Sequence, residues 1–468
     1  MRCVDRYGLQ LSASVDAVAA YNRGVGCLLR LEEGSLRAIA AAVTLDPTFA
    51  LGHAGLALLG HELCVPVDID ARIRDARLHA RRSTERERSH VEAVTAHVQG
   101  DSAPLVQHLG RYPTDALLLS VAVPTIAFAG VTTVPQDAWG IVERCAPAYG
   151  DDWWFTGLLA FIRQEQGRFD EAMELSRLSL DVEPGAGHSA HAMAHAHYET
   201  ADHTGGLAWI DSWITGEGAQ VDSLTHFSWH AALHELSLGD LAAVRRRYES
   251  QLRPHPGMGC RSLVDSGTLL WRWALTPGSV DVPAMDEVTT VVDEALLSEP
   301  QSPFMAMHAA VALCAADDAS GLSTLARGCE GRSDPVHVDV VAPLARALRR
   351  LVLGDPSGAA DDLALVQPVL WRVGGSDAQR EVVEETRIGA LLRACRYDEA
   401  LSVIDRRLDR RRCRRDEWFR LAATPAQVTE IWSPSTDTFL EARSATDPAS
   451  VPFGPPTFDP SSIEKRLP

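Results

Sequence analysis

Residues 153–184 read WWFTGLLAFIRQEQGRFDEAMELSRLSLDVEP, and this stretch decides the fold class. Apolar residues recur three and four apart on both sides of Gly167, the spacing of amphipathic helices. Pro184 ends the second helix, because proline cannot continue the hydrogen-bond ladder. Gly167-Arg-Phe-Asp-Glu-Ala172 returns in kind as Cys395-Arg-Tyr-Asp-Glu-Ala400, and more loosely as Gly239-Asp-Leu-Ala-Ala243. In each, a small or turn-forming residue closes one helix, and an aromatic or leucine followed by a small alanine opens the next. A recurring helix–turn–helix of about 34 residues is a unit of tetratricopeptide type, so the chain reads as an all-α superhelical solenoid.

Outward from that unit, helix pairs are expected from about Ser14 to Val65, Ile69 to Ala129, Gln136 to Glu183, His188 to Leu252, Leu263 to Ala315 and Gly321 to Ala422. Alternating β-branched runs and Asn-Gly turns, the marks of strands and hairpins, are missing. Residues 1–445 are expected to form one degenerate repeat array. Residues 446–468 hold six prolines among Asp, Ser and Gly, and read as a tail that cannot bury enough surface to fold. The uncharged stretch Ala116 to Gln136 is long enough to span a membrane, but Pro124, Gly130 and its Ser/Thr residues favour a buried helix hairpin. The arginines between Arg406 and Arg415 are expected to form a solvated helix face near a C-terminus.

Composition removes several function classes. With 44 Lys+Arg against 63 Asp+Glu, the net charge of −19 lacks the cationic face that nucleic acid or an anionic membrane needs. Lys465 is the only lysine, so no Schiff-base or P-loop lysine exists outside the tail. Nine scattered cysteines, never spaced CxxC, read as reduced thiols in a cytoplasmic protein without a disulfide framework or structural zinc. The charged start Met-Arg-Cys-Val-Asp-Arg lacks the apolar core of a signal peptide.

The histidines are concentrated. Eight of 17 lie between His188 and His234, a tenth of the chain, where an even spread would leave about two. His191 and His195 are four apart, and so are His226 and His230, which puts each pair on one helix face. His191 to His226 is 35 residues, as is His195 to His230, and Asp265 lies another 35 beyond. That step is one repeat period, so these residues should occupy equivalent places on adjacent first helices lining the concave groove. His230 is the expected central rung: Asp265 would fix its tautomer while its other nitrogen faces the groove, an arrangement suited to general acid–base catalysis. The four imidazoles could also ligate a divalent metal, but they bring no negative charge and the matched carboxylate is a helix away, so no cofactor is expected. Trp229 stands beside His226 and His230 as a possible pocket wall. The competing reading is a rigidifying polar network between helices.

At these residues the chain resembles the tetratricopeptide repeat protein 38 family over nearly its whole length, the tail excluded. The resemblance rests on Asp46-Pro-Thr-Phe-Ala-Leu-Gly-His53, Glu87-Arg-Ser-His90, Tyr112-Pro-Thr-Asp115, His191-Ala-Met-Ala-His195, His226-Phe-Ser-Trp-His230, Val264-Asp265, His308 and Gly374-Gly-Ser-Asp-Ala-Gln-Arg380. It implies an α-solenoid and adds weight to those residues without naming a reaction. Two departures stand out. The family's glutamate three residues after the match to His195 is replaced by Tyr198, with Glu199 adjacent, and its Asn-Asp pair before His308 is replaced by Met305-Ala306. In the glycine segment, Ser376 is suited to cap a helix whose first turn carries Gln379 and Arg380. An arginine there opposes the helix dipole, so its reward is either a ligand's carboxylate or phosphate or an ion pair such as one with Asp265.

Two function classes follow. One is a small-molecule enzyme with acid–base chemistry, metal-assisted in one variant, at His191, His195, His226, His230 and Asp265, and with substrate contacts from Trp229, His308, Gln379 and Arg380. The other is a scaffold that takes a peptide or partner protein in the groove.

Overall fold

The computed structural model describes residues 3–63, 65–122, 139–221 and 224–424. Two thirds of the expected hairpin at Ala116–Gln136 and the whole Pro-rich tail lie outside them. The described residues hold 24 α-helices and no strand longer than an isolated bridge. None of these helices is long and apolar enough to cross a membrane.

The array consists of two compact units, the first comprising Met1–Ala231 with Gly259–Arg261. Its helices are α1 (Val15–Arg30), α2 (Ser35–Leu45), α3 (Ala50–Glu62), α4 (Ile69–Ala80), α5 (Glu85–His97), α6 (Ala103–Arg111), α7 (Ala116–Ala122), α8 (Trp139–Tyr149), α9 (Trp153–Glu165), α10 (Phe169–Val182), α11 (Gly187–Glu199) and α12 (His203–Thr215). The boundary falls inside α13 (Leu224–Leu238). The second unit continues with α14 (Leu241–Arg247), α15 (Thr268–Leu275), α16 (Asp286–Thr289), α17 (Glu294–Ser298), α18 (Pro303–Ala315), α19 (Ala319–Glu330), α20 (Ala342–Val352), α21 (Pro356–Val366), α22 (Asp377–Arg393), α23 (Tyr397–Arg410) and α24 (Arg414–Ala422). Within each unit, neighbours in sequence pack as hairpins, such as α1 on α2, α9 on α10, α19 on α20 and α21 on α22.

One turn design repeats. Gly100, Gly167, Ala201, Gly239, Asp317, Gly354 and Cys395 all have left-handed backbone, with φ between 54° and 91°. The next residue's N–H closes back on a carbonyl five positions earlier, as in Arg168 to Arg163, Asp202 to His197, Asp240 to Glu235 and Arg396 to Leu391. This is a Schellman closure, which satisfies carbonyls left over at the helix end. After four of these turns the following residue is an aspartate that caps the next helix: Asp202, Asp240, Asp318 and Asp355. The three repeat segments read from sequence are members of this set. The other members share only the αL residue, too little to align by eye.

The arginine cluster departs from the sequence expectation. Arg406, Arg410 and Arg412 are exposed, but Arg407, Arg411 and Arg415 are buried. Arg407 pairs with Asp416 (2.9 Å) and Glu384 (2.8 Å), Arg411 with Glu381 (2.6 Å), and Arg415 with Glu385 (2.9 Å), which also receives Arg272 (2.8 Å). Carboxylates from α22 meet arginines from α15, α23 and α24, so charge that the sequence places in solvent is spent inside the second unit.

Candidate functional site: a cluster of four imidazoles

α11 is built to be surrounded. It packs against α1, α9, α10 and α12, and every residue from Gly187 to Ala196 is buried. Small residues allow this: a Cβ at Gly157 of α9 would lie 2.1 Å from the Ser189 hydroxyl, and one at Gly187 would lie 2.7 Å from the Arg30 carbonyl. His191 and His195 therefore project into the interior, not into an open groove. All four matched histidines are at most 3% exposed.

The 35-residue register brings them together. His191 Nε2 lies 3.0 Å from His195 Nε2, 3.1 Å from His230 Nε2 and 3.2 Å from His226 Nε2. His230 and His226 close the figure at 3.2 Å. The ring centroids of His195 and His230 are 4.5 Å apart. Aromatic rings fix two of the planes: Phe161 of α9 stacks on His191 (5.3 Å, 22°) and Trp229 on His226 (5.2 Å, 19°). Trp229 also meets His230 edge-on at 4.9 Å.

Burial dominates the electrostatics. It holds His191 well below the usual imidazole range, helped by His195, His226, His188 and Arg261. Burial and His226 push His195 down to about 3, and burial takes His188 to about 4. His191 and His195 are thus neutral at physiological pH, each with one ring nitrogen carrying a lone pair.

The remaining candidates belong to the second unit. Asp265 is fully buried in a π-helical turn, Ser262–Gly267. His308, on α18, directs Nδ1 at the Phe304 carbonyl (2.8 Å). Gln379 completes a capping box with Ser376. Arg380 donates to the carbonyls of Gly374 (3.0 Å) and Gly375 and pairs with Asp377. These partners supply the reward that an arginine at a helix start requires. Phe304 links the two motifs, its ring 4.3 Å from that of His308 and filling the space a Cβ at Gly375 would need. Tyr198 is buried against His203 (5.7 Å), and Glu199 ends α11 one turn beyond His195. Met305 and Ala306 are core residues of α18.

Two polar clusters in the first unit escaped the sequence reading. Asp115 Oδ2 accepts from Arg86 (2.9 Å), His90 Nδ1 (2.9 Å) and His108 Nε2 (3.1 Å), while Ser89 donates to His108 Nδ1 (2.8 Å). Burial raises the Asp115 carboxyl, but hydrogen bonds and electrostatic contacts with His90 and His108 hold it well below the usual carboxylate range. His97 donates from Nε2 to Glu62 (2.6 Å) and accepts from Ser102 at Nδ1 (2.9 Å). Glu87-Arg-Ser-His90 and Tyr112-Pro-Thr-Asp115 carried part of the family resemblance, but residues 86, 90, 108 and 115 follow no period that would announce a meeting.

No family model matches the chain. Among solved structures it is similar to the TPR domain of P58(IPK), at 12% sequence identity, covering 84% of this chain and 89% of that one with a TM-score of 0.20.

Proposed function

We propose that the first unit acts on a small molecule at the cluster His191, His195, His226 and His230, using imidazole lone pairs as its reactive groups. The observation that carries this reading is the gathering of four Nε2 atoms within 3.0–3.2 Å contacts, from two helices one repeat apart. A network needed only for rigidity would be better served by mixed donors and acceptors than by four identical groups. His230 is the candidate central residue, since its ring meets those of His191, His195, His226 and Trp229. The test is a thermal-shift screen of small metabolites on the full chain, with hits repeated on His230→Gln. A ligand whose shift or turnover vanishes in a folded His230→Gln protein supports the reading, and hits that ignore the substitution remove it.

A second reading, a scaffold for a peptide or partner protein, draws support from Leu353, Leu365 and Trp371, large apolar side chains exposed along one stretch of the second unit. Those residues would then be where a partner's loss of binding is first seen.

A further inference from the structure

We propose that the Nε2 atoms of His191, His195, His226 and His230 form a binding site for one divalent transition-metal cation of the zinc class. This rests on the reading of the cluster as the working site and names what fills it.

The argument begins with roles. An imidazole nitrogen carries either a hydrogen or an in-plane lone pair, so in any one contact it is a donor or an acceptor, never both. His191, His226 and His230 form a closed triangle of Nε2 contacts at 3.1, 3.2 and 3.2 Å. With three nitrogens and two roles, two must share a role. At least one contact then sets lone pair against lone pair or hydrogen against hydrogen. The same Nε2 of His191 also faces His195 at 3.0 Å. No choice of tautomers makes this set of contacts attractive throughout.

A cation removes the conflict. All four nitrogens then present lone pairs to one point, and each ring hydrogen moves to Nδ1. Ligand bonds of about 2.0–2.1 Å in a tetrahedral shell put nitrogens roughly 3.3–3.4 Å apart; His191, His195 and His230 already offer ring nitrogens all within 4.8 Å of one another, and His226 Nε2, 3.2 Å from those of His191 and His230, closes in as the fourth ligand. The stacking of Phe161 on His191 and of Trp229 on His226 holds two rings in place beforehand. Four imidazole nitrogens select for zinc, copper, nickel or cobalt over magnesium and calcium, which prefer oxygen ligands.

The test uses the full chain, stripped with a chelator and dialysed into metal-free buffer. Co2+ is titrated in and followed by its visible ligand-field absorption, then displaced with Zn2+, and metal content is measured by mass spectrometry. Expected are one equivalent per chain, the intense bands of tetrahedral nitrogen-ligated Co2+, and affinity weakened at least about tenfold in His191→Ala and His230→Gln. The exposed His255→Ala serves as a control and should bind like the parent. Absence of stoichiometric uptake by the folded parent overturns the proposal, as does a folded His191→Ala that binds like the parent. The parent spectrum decides the matter even where a variant fails to fold. A small-molecule ligand lost in His230→Gln from a protein that takes up no metal would leave the functional reading standing and remove only the cation.

Discussion

The cluster of four imidazoles and the hub at Asp115 are both buried, histidine-rich and lodged in the first unit, yet their hydrogen-bond chemistry is opposite. At Asp115, one carboxylate oxygen receives an arginine and two imidazoles, and Ser89 closes the circuit at His108. Each hydrogen in those contacts has a lone pair to meet. At His191, ring nitrogen meets ring nitrogen: its Nε2 lies 3.0–3.2 Å from the Nε2 atoms of His195, His230 and His226. A carboxylate that accepts from several donors staples its helices together, whereas imidazole nitrogens gathered on one another are the arrangement from which the cation site is proposed.

The sharpest way to break this contrast is Asp115→Ala. It leaves the buried Arg86 guanidinium without its carboxylate, and the expected loss of stability is about 3–5 kcal/mol, read from urea unfolding. A loss below about 1 kcal/mol would mean that the hub is not a staple.

pH should separate the two regions next. In metal-free protein, His188 and His195 have folded pKa values of about 4 and about 3, below the unfolded 6.5. The unfolded chain therefore binds protons first as pH falls from 6.5, and stability drops by roughly 1.4 kcal/mol per pH unit for each such histidine. Asp115, depressed below 3.8, has the other window: its contribution is complete above that value and is lost only in stronger acid, as pH falls through its folded pKa. Urea midpoints at pH 7, 6 and 5 should fall in the parent, and a flat profile would place these imidazoles in water.

Zinc at a hundredfold excess over its dissociation constant should stabilise the parent by about 2.7 kcal/mol and leave His191→Ala unmoved. Equal stabilisation of both proteins would dissolve the distinction between ligand set and staple. The smallest effect is expected from Phe161→Leu, which removes the ring stacked on His191 and should cost about 1 kcal/mol in the metal-free protein, with weaker metal uptake. Unchanged uptake would show that the ring does not preorganise its neighbour.

Much of this was legible before any coordinates. The hairpin at 153–184, its echoes at 239 and 395, and the step of 35 from His191 to His226 and from His195 to His230 are periodic facts. A repeat converts period into proximity, because equivalent positions on stacked hairpins face the same way. That is why four histidines on α11 and α13 could be expected to meet. The groove-facing orientation was the part that failed: α11 is enclosed by α1, α9, α10 and α12, and enclosure depends on which helices close over it, not on the period.

The sequence by itself thus determined the helical class, the hairpin unit and the partners in the imidazole cluster, since all three are written in spacing along one chain. Tertiary structure alone decided that Arg86, His90 and His108 converge on Asp115, that Arg407, Arg411 and Arg415 turn inward to carboxylates, and that Arg380 is held by the carbonyls of Gly374 and Gly375. These contacts join non-equivalent positions of different helices. A polar side chain taken out of water binds whichever complementary group the packing brings within about 3 Å, and no regular interval in the sequence encodes that choice.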